Sequence, residues 1–209
     1  MEKRSRVMLR AVAHDVKNKL AELALCLAET NPGAAALAID AAGTLTHALM
    51  VESDELDPAI DAACPADLLE ETALQYRQLF PGKHIDIESK ETPALWFYDE
   101  RLIRLTLSNA VHNALKFCRS TVRLKAAEID GFLVFEIRDD GTGFPEPLLA
   151  TGLESGNTEA LRSERGTGLG LLLTRRIIQA HRVERGGAIR TGWMTLGNEQ
   201  GAVIRMGLP

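Results

Sequence analysis

With 209 residues, of which 45% are hydrophobic and 25% charged, the chain can bury one good core, or a smaller core plus an accessory element. A net charge of -5 spread along the chain leaves no basic stripe and argues against direct nucleic-acid binding, and no apolar run approaches the roughly 20 residues needed to span a bilayer. The basic start MEKRSRVMLR lacks the features of a signal peptide, so a cytoplasmic location is expected, and Cys26, Cys64 and Cys118 are scattered without CxxC spacing, which disfavours a disulfide framework or a zinc site.

The first predicted element is a helix from about Ser5 to Thr30, where Val12, Val16, Leu20, Leu23 and Leu27 recur at steps of three and four. Asn31-Pro32-Gly33 breaks it. A second helix follows over roughly Ala34 to Glu52, with Leu37, Ala41, Leu45, Ala48 and Val51 along one side. Helices joined by so short a turn lie antiparallel, and a bare hairpin cannot cover its own apolar stripes. A homodimer, as a twofold four-helix bundle, is the economical solution.

The acidic, proline-bearing stretch ESDELDPAIDAACP reads as a linker, giving a hairpin domain at 1–55, a linker at 56–64 and a second domain at 65–209. Within the second domain, Ala66 to Phe80 reads as helix, His84 to Glu88 and Ala94 to Tyr98 as strands, and Asp99 to Phe117 as a long helix. Val122 to Ile129 and Phe132 to Arg138 are strands bridged by the hairpin signal Asp130-Gly131. Gly168 to His181 reads as helix, and Gly187 to Thr191 and Ala202 to Leu208 as closing strands. The grouping predicts an α+β fold, an α/β sandwich in which a mixed sheet is covered by helices.

Three stretches carry chemistry. On the long helix, Asn109, Asn113 and Lys116 share a face; an amide carbonyl suits a hard cation, and a lysine beside it meets phosphate. Taken alone, that face is also ordinary solvated surface. After the apolar strand FLVFEI comes DDGTGFP, Asp139 to Pro145, whose carboxylate can accept from an exocyclic amine and whose glycines permit a tight turn. RGTGLGL, Arg165 to Leu171, opens a helix whose free N–H groups suit an anion. It is neither a P-loop nor a dinucleotide fingerprint. About 20 residues rich in Gly, Ser, Glu and Asn separate the last two stretches and form a candidate lid.

In this order and spacing, SNAVHNALKF, RDDGTGFP and RGTGLGLLLTRR resemble the N, G1 and G2 boxes of the sensor histidine kinases, whose ATP-binding domain is shared with gyrase B, heat-shock chaperones and mismatch-repair ATPases. The resemblance covers about Pro65 to Pro209, and HDVKNKL is similar to the family's H-box. It implies ATP as substrate with Asn113 as ligand of Mg²⁺, and Asn109 and Lys116 addressing the phosphates. It further implies Asp139 on the adenine amine, with Gly141 and Gly143 shaping that pocket. Arg165, Gly166, Thr167, Gly168, Leu169 and Gly170 would form the phosphate side, Arg165 near the γ-phosphate. Hydrolytic members of the superfamily place a glutamate where this chain has Asn109, and an amide is a poor general base, which favours transfer to a protein group over hydrolysis. Lys19 stands where many H-boxes have proline, and Leu148, Leu149 and Leu153 stand in for the usual Phe-containing box of the lid.

His14 lies roughly 160° around its helix from the mean of the apolar stripe, so it is expected to be exposed. A neutral imidazole is a competent nucleophile toward phosphorus, Asp15 is placed to orient the ring and take its proton, and Asn18 is one turn away on the same face. The resemblance implies autophosphorylation of His14, transfer to an aspartate of a response regulator receiver domain, and, through Asn18, a phosphatase activity toward that regulator. Only 13 residues precede His14, so the chain is expected to be an excised core or a kinase served by a separate sensor protein. The competing readings are a phosphotransfer adaptor that no longer uses ATP, an anti-sigma-type serine kinase, and a purely structural dimer.

Overall fold

The computed structural model describes residues 2–27, 29–51, 56–151 and 169–209, and the chain divides into two compact units, 1–55 and 56–209. The first unit contains α1 (Glu2–Leu27) and α2 (Pro32–Val51). The break between them is chemically explicit: Pro32 is the first residue of α2, where its missing N–H costs nothing, and the Asn31 side chain accepts from the Ala34 N–H at 3.1 Å. The helices pack through buried Ala24, Ala35 and Ala38, flanked by Leu20, Leu27 and Ile39. Small side chains let the two backbones approach closely.

The second unit is built around a five-stranded mixed sheet of order β2-β4-β5-β9-β8, from β2 (His84–Glu88), β4 (Thr121–Ile129), β5 (Phe132–Asp139), β8 (Trp193–Asn198) and β9 (Ala202–Leu208). Only β2 and β4 run parallel; the other pairings are antiparallel. The β4–β5 turn has both Asp130 and Gly131 at positive φ, 52° and 71°, as a two-residue hairpin requires.

Helices α3 (Pro65–Leu79), α4 (Glu100–Phe117) and α6 (Leu169–Ala180) pack on the sheet, and a short α5 (Glu146–Thr151) follows β5. Between the layers lie Leu68, Leu69, Ile103, Leu107, Leu115, Leu124, Leu133, Phe135 and Ile177, all at or near full burial. Each contributes about 1.5–3 kcal/mol of transfer free energy. The outward face of the central strands carries a paired charge cluster: Glu136 meets Arg205 at 2.6 Å, and Glu199, in the β8–β9 turn, meets Arg138 at 2.5 Å and Arg205 at 2.8 Å.

Several segments depart from the sequence expectation. Residues Asp61–Ala63, expected in the linker, form β1, which pairs with β3 (Trp96–Tyr98) in a separate two-stranded sheet. The strand expected at Gly187 to Thr191 does not close the main sheet; as β7 (Ala188–Thr191) it pairs with β6 (Arg182–Arg185) across a turn with Gly186 and Gly187 at positive φ. The closing partner of β9 is instead β8, a strand absent from the sequence expectation.

Candidate functional site

The alternation of β5 decides which acid of the Asp139-Asp140 pair faces inward. Leu133, Phe135 and Ile137 are buried under the helices, and the period of two carries Asp139 to the same side, where it is 7% exposed. Its Oδ1 accepts from the Gly141 N–H at 2.7 Å and the Ala202 N–H at 3.1 Å. Among the described residues both bonds meet Oδ1, so Oδ2 is the oxygen placed to take a further donor.

Asp140 does a different job. Oδ1 accepts from the N–H groups of Arg119, Ser120 and Thr121 at 2.7, 3.0 and 3.2 Å, and Oδ2 accepts from the Ser120 hydroxyl at 2.6 Å. Desolvation works against ionisation here, but these donors outweigh it and hold the carboxyl well below the usual carboxylate range. Asp140 thereby clasps the turn leaving α4 to the end of β5. Lys83 holds the same turn from the other side, donating to the carbonyls of Cys118 and Arg119 at 2.9 and 2.8 Å.

The glycines are dictated by these contacts. A Cβ on Gly141 would stand 2.3 Å from the Phe117 carbonyl oxygen, and one on Gly143, where φ is +80°, would stand 2.6 Å from Asn198 Oδ1. Asn198 in turn accepts from the Phe144 N–H at 2.7 Å and donates to the Phe144 carbonyl at 2.9 Å.

Helix α4 is the spine of the site. Asp99 caps it, accepting from the Leu102 N–H at 2.9 Å, worth ~1 kcal/mol. Asn109, Asn113 and Phe117 follow at successive turns of one face. Phe117 abuts Gly141, while Asn109 abuts Gly170 at the start of α6: a Cβ on Gly170 would lie 2.4 Å from Asn109 Oδ1. Asn109 Nδ2 also donates to Thr174 Oγ1 at 3.2 Å. Half-buried Asn113 therefore sits between the Asp139 loop and the opening of α6, over about 12 Å of helix at 1.5 Å per residue. Lys116 is exposed, its ammonium 5.8 Å from the Phe117 ring centroid.

A second node fixes the far ends of α4 and α6. His181, 2% exposed, accepts on Nε2 from the Asp99 N–H at 3.1 Å and donates from Nδ1 to the Ile177 carbonyl at 2.8 Å. That pairing requires the neutral ring, and burial pushes its pKa down, against the Ile177 hydrogen bond and the Asp99 charge.

Of the expected phosphate-side residues, Leu169 and Gly170 begin α6, whereas Arg165, Gly166, Thr167 and Gly168 lie outside the described residues, as does Leu153. Leu148 on α5 is buried. In the first unit, Asp15 and Asn18 are exposed on α1, which also carries His14; the His14 side chain lies outside what is described. Asp140, His181, Asn198 and the Ala202 N–H were not singled out by the sequence. No local signal marks them, because each acts on a partner 20 or more residues away.

A family model described as "Histidine kinase-, DNA gyrase B-, and HSP90-like ATPase" matches residues 98–209. The chain is 30% identical over 139 residues to the sensor protein KdpD of Clostridium acetobutylicum, covering 63% of the chain and 15% of that protein. It is 34% identical over 124 residues to the adaptive-response sensory kinase SasA of Synechocystis sp., covering 56% and 32%. A third relative, the signal transduction histidine-protein kinase AfsQ2 of Streptomyces coelicolor, is 34% identical over 113 residues, covering 53% and 20%. The chain thus spans less than a third of the length of these relatives. Among solved structures, full-length ShkA in complex with AMPPNP is similar in fold, with TM-score 0.63 and 23% identity over 97% of this chain and 45% of that one. The ATP-binding domain of PrrB from Mycobacterium tuberculosis has TM-score 0.55 and 23% identity over 72% of this chain and 97% of that one.

Proposed function

The chain belongs to the histidine kinase-, DNA gyrase B-, and HSP90-like ATPase family, and from that premise we propose that it is an ATP-dependent protein histidine kinase of a two-component system that phosphorylates His14. The observation that carries this reading is the layout of α4, with Asn113 between a buried adenine-type carboxylate at Asp139 and the opening of α6. The donor set fits the ligand. Asp139 has an oxygen to spare for an exocyclic amine, Lys116 offers a cation to phosphate, and Asn113 offers the neutral oxygen that suits Mg²⁺. When bound, Mg²⁺ would neutralise phosphate charge at Asn113.

The remaining work falls to the chain. Asn109 is tied to Thr174 and Gly170, so the position at which hydrolytic relatives keep an acid is here an amide used to hold two helices together. No strong base stands there to activate water. In α1, the Nδ1 or Nε2 lone pair of His14 attacks the γ-phosphorus, the bond from that phosphorus to the β–γ bridging oxygen breaks, and ADP leaves. Asp15 is the group next in sequence that can orient the ring and receive its proton. The phosphoryl group then passes to a response regulator aspartate, and Asn18 positions water for a phosphatase step on that partner. Exposed Leu25, at seven residues from Asn18, continues the His14 side of the helix and offers apolar contact to such a partner.

The unit also presents the surface for homodimerisation. Val16 and Leu23 on α1 and Leu37 on α2 are apolar yet exposed, and a second copy covers them in a four-helix bundle. Among the described residues no helix is long and apolar enough to cross a membrane. Incubation with γ-labelled ATP and Mg²⁺ tests the kinase reading. Acid-labile label is expected on the protein and is lost in His14→Gln with nucleotide binding retained; an unlabelled wild type that binds no ATP removes the proposal and favours the adaptor.

A further inference from the structure

We propose that Asn198, the last residue of β8, where the β8–β9 turn begins, is the positioning residue that fixes the base-recognition loop and so sets selectivity for adenine; this rests on the ATP-binding reading above. The turn and the strand residues flanking it reach the loop at four points. Asn198 pairs both backbone groups of Phe144, one amide doing what a neighbouring strand would do. Gly143, at a positive φ of 80°, lies against the same side chain, which leaves no room for a Cβ there. At the other end, the Ala202 N–H holds Asp139 Oδ1, and Gly201 packs on the Asp139 carbonyl, where a Cβ would stand 1.9 Å from the oxygen.

Asp139 and Phe144 therefore bracket a six-residue loop whose ends are both fastened to one turn about 55 residues later in the chain. A base lodged at Asp139 is read by a carboxylate oxygen that welcomes the amine of adenine and repels the carbonyl of guanine. That discrimination requires Oδ2 and the Gly143–Phe144 backbone to hold their relative place. Asn198 is exposed and touches no described catalytic group, so its contribution is to hold the loop in place before the nucleotide arrives.

Glu199 supplies the control, because its ion pairs with Arg138 and Arg205 anchor the same turn to the outer face of the sheet without touching the loop. MgATP and MgGTP are titrated calorimetrically into the full chain, its Asn198→Ala, Asn198→Asp and Glu199→Gln variants, with hydrogen exchange at the Phe144 amide. Asn198→Ala is expected to lose roughly tenfold in ATP affinity and to narrow the ATP-to-GTP ratio, with the labelling rate at saturating ATP preserved and Phe144 exchange accelerated. Asn198→Asp keeps the acceptor for Phe144 N–H but loses the donor, so it is expected to fall between the two. Glu199→Gln is expected to stay within about twofold of wild type.

Unchanged ATP affinity and base preference in Asn198→Ala, with the Phe144 amide deprotected, overturn the proposal. Thermal midpoints identify misfolding: if both Asn198 variants unfold, the residue is structural and the positioning role is rejected. A wild type that binds neither nucleotide overturns the ATP-binding reading itself, an outcome distinct from a wild type that binds and a variant that binds equally.

Discussion

At the scale of single residues, two adjacent carboxylates have been driven to different tasks by nothing more than strand alternation. Asp139 follows Leu133, Phe135 and Ile137 inward, while Asp140, one step further, turns to gather the N–H groups of residues 119–121. The inward choice was legible in FLVFEIRDD, because the apolar alternation extends to the first acid. The clasp was not legible, since its partners lie about 20 residues upstream in a turn whose geometry only the fold creates. His181 shows the same limit: its sequence neighbours give no sign of the Asp99 N–H that it accepts. Its titration is testable. The folded-state pKa lies below the unfolded value near 6.5, so the unfolded chain binds the proton first as pH falls. The neutral ring's contribution to stability is therefore complete above about pH 6.5 and is lost progressively below it. Urea midpoints of the wild type are expected to fall across pH 7 to 5 by more than those of His181→Gln, whose amide oxygen can still accept from Asp99. Parallel slopes in the two proteins would reject this assignment.

At the scale of elements, the first helix carries two seams where the sequence suggested one stripe. Taking 100° per residue, Leu20, Leu27 and buried Ala24 and Ala13 cluster toward α2, whereas Val16 and Leu23 sit some 60° away and remain 43% and 48% exposed. The large apolar residues of both seams merged in the pattern because the alanines that mark the close contact score weakly as hydrophobes. The long helices and the Asp130-Gly131 hairpin were legible because each is encoded locally. The β6–β7 ribbon was not, since Arg182–Arg185 has no alternating apolar signal and is a strand only by virtue of its partner. The α4–α6 contact gives a prediction with a sign. Alanine at position 170 gains up to about 1 kcal/mol of helix propensity over glycine, but its Cβ meets Asn109, whose short side chain is already bonded to Thr174. Gly170→Ala is expected to lower the urea midpoint in the wild type and to raise it in an Asn109→Ala background, where the obstruction is gone. Equal effects in both backgrounds would show that the helices are not coupled at this point.

At the scale of the whole molecule, the two units solve the burial problem differently. The sheet unit closes its own core, with helices on one face and a paired charge cluster on the other. The helical unit leaves Val16, Leu23 and Leu37 exposed on only two helices, which is more than a hairpin can spare. A twofold pairing buries each of these residues twice, on the order of 1 kcal/mol per side chain given that each is already partly covered, so the association strengthens as the square of the motif. Placing a carboxylate at both α1 positions reverses the balance, because the twofold brings like charges together in a site that excludes water. The full chain is expected to sediment at twice its monomer mass, and Val16→Glu/Leu23→Glu at its monomer mass. Nucleotide affinity of the variant should stay at the wild-type level, because Asp139 to Phe144 and their supports at Asn198 and Ala202 belong to the other unit. A wild type that sediments as a monomer at micromolar concentration removes the bundle from the proposal, while a variant that dimerises unchanged moves the interface away from this seam.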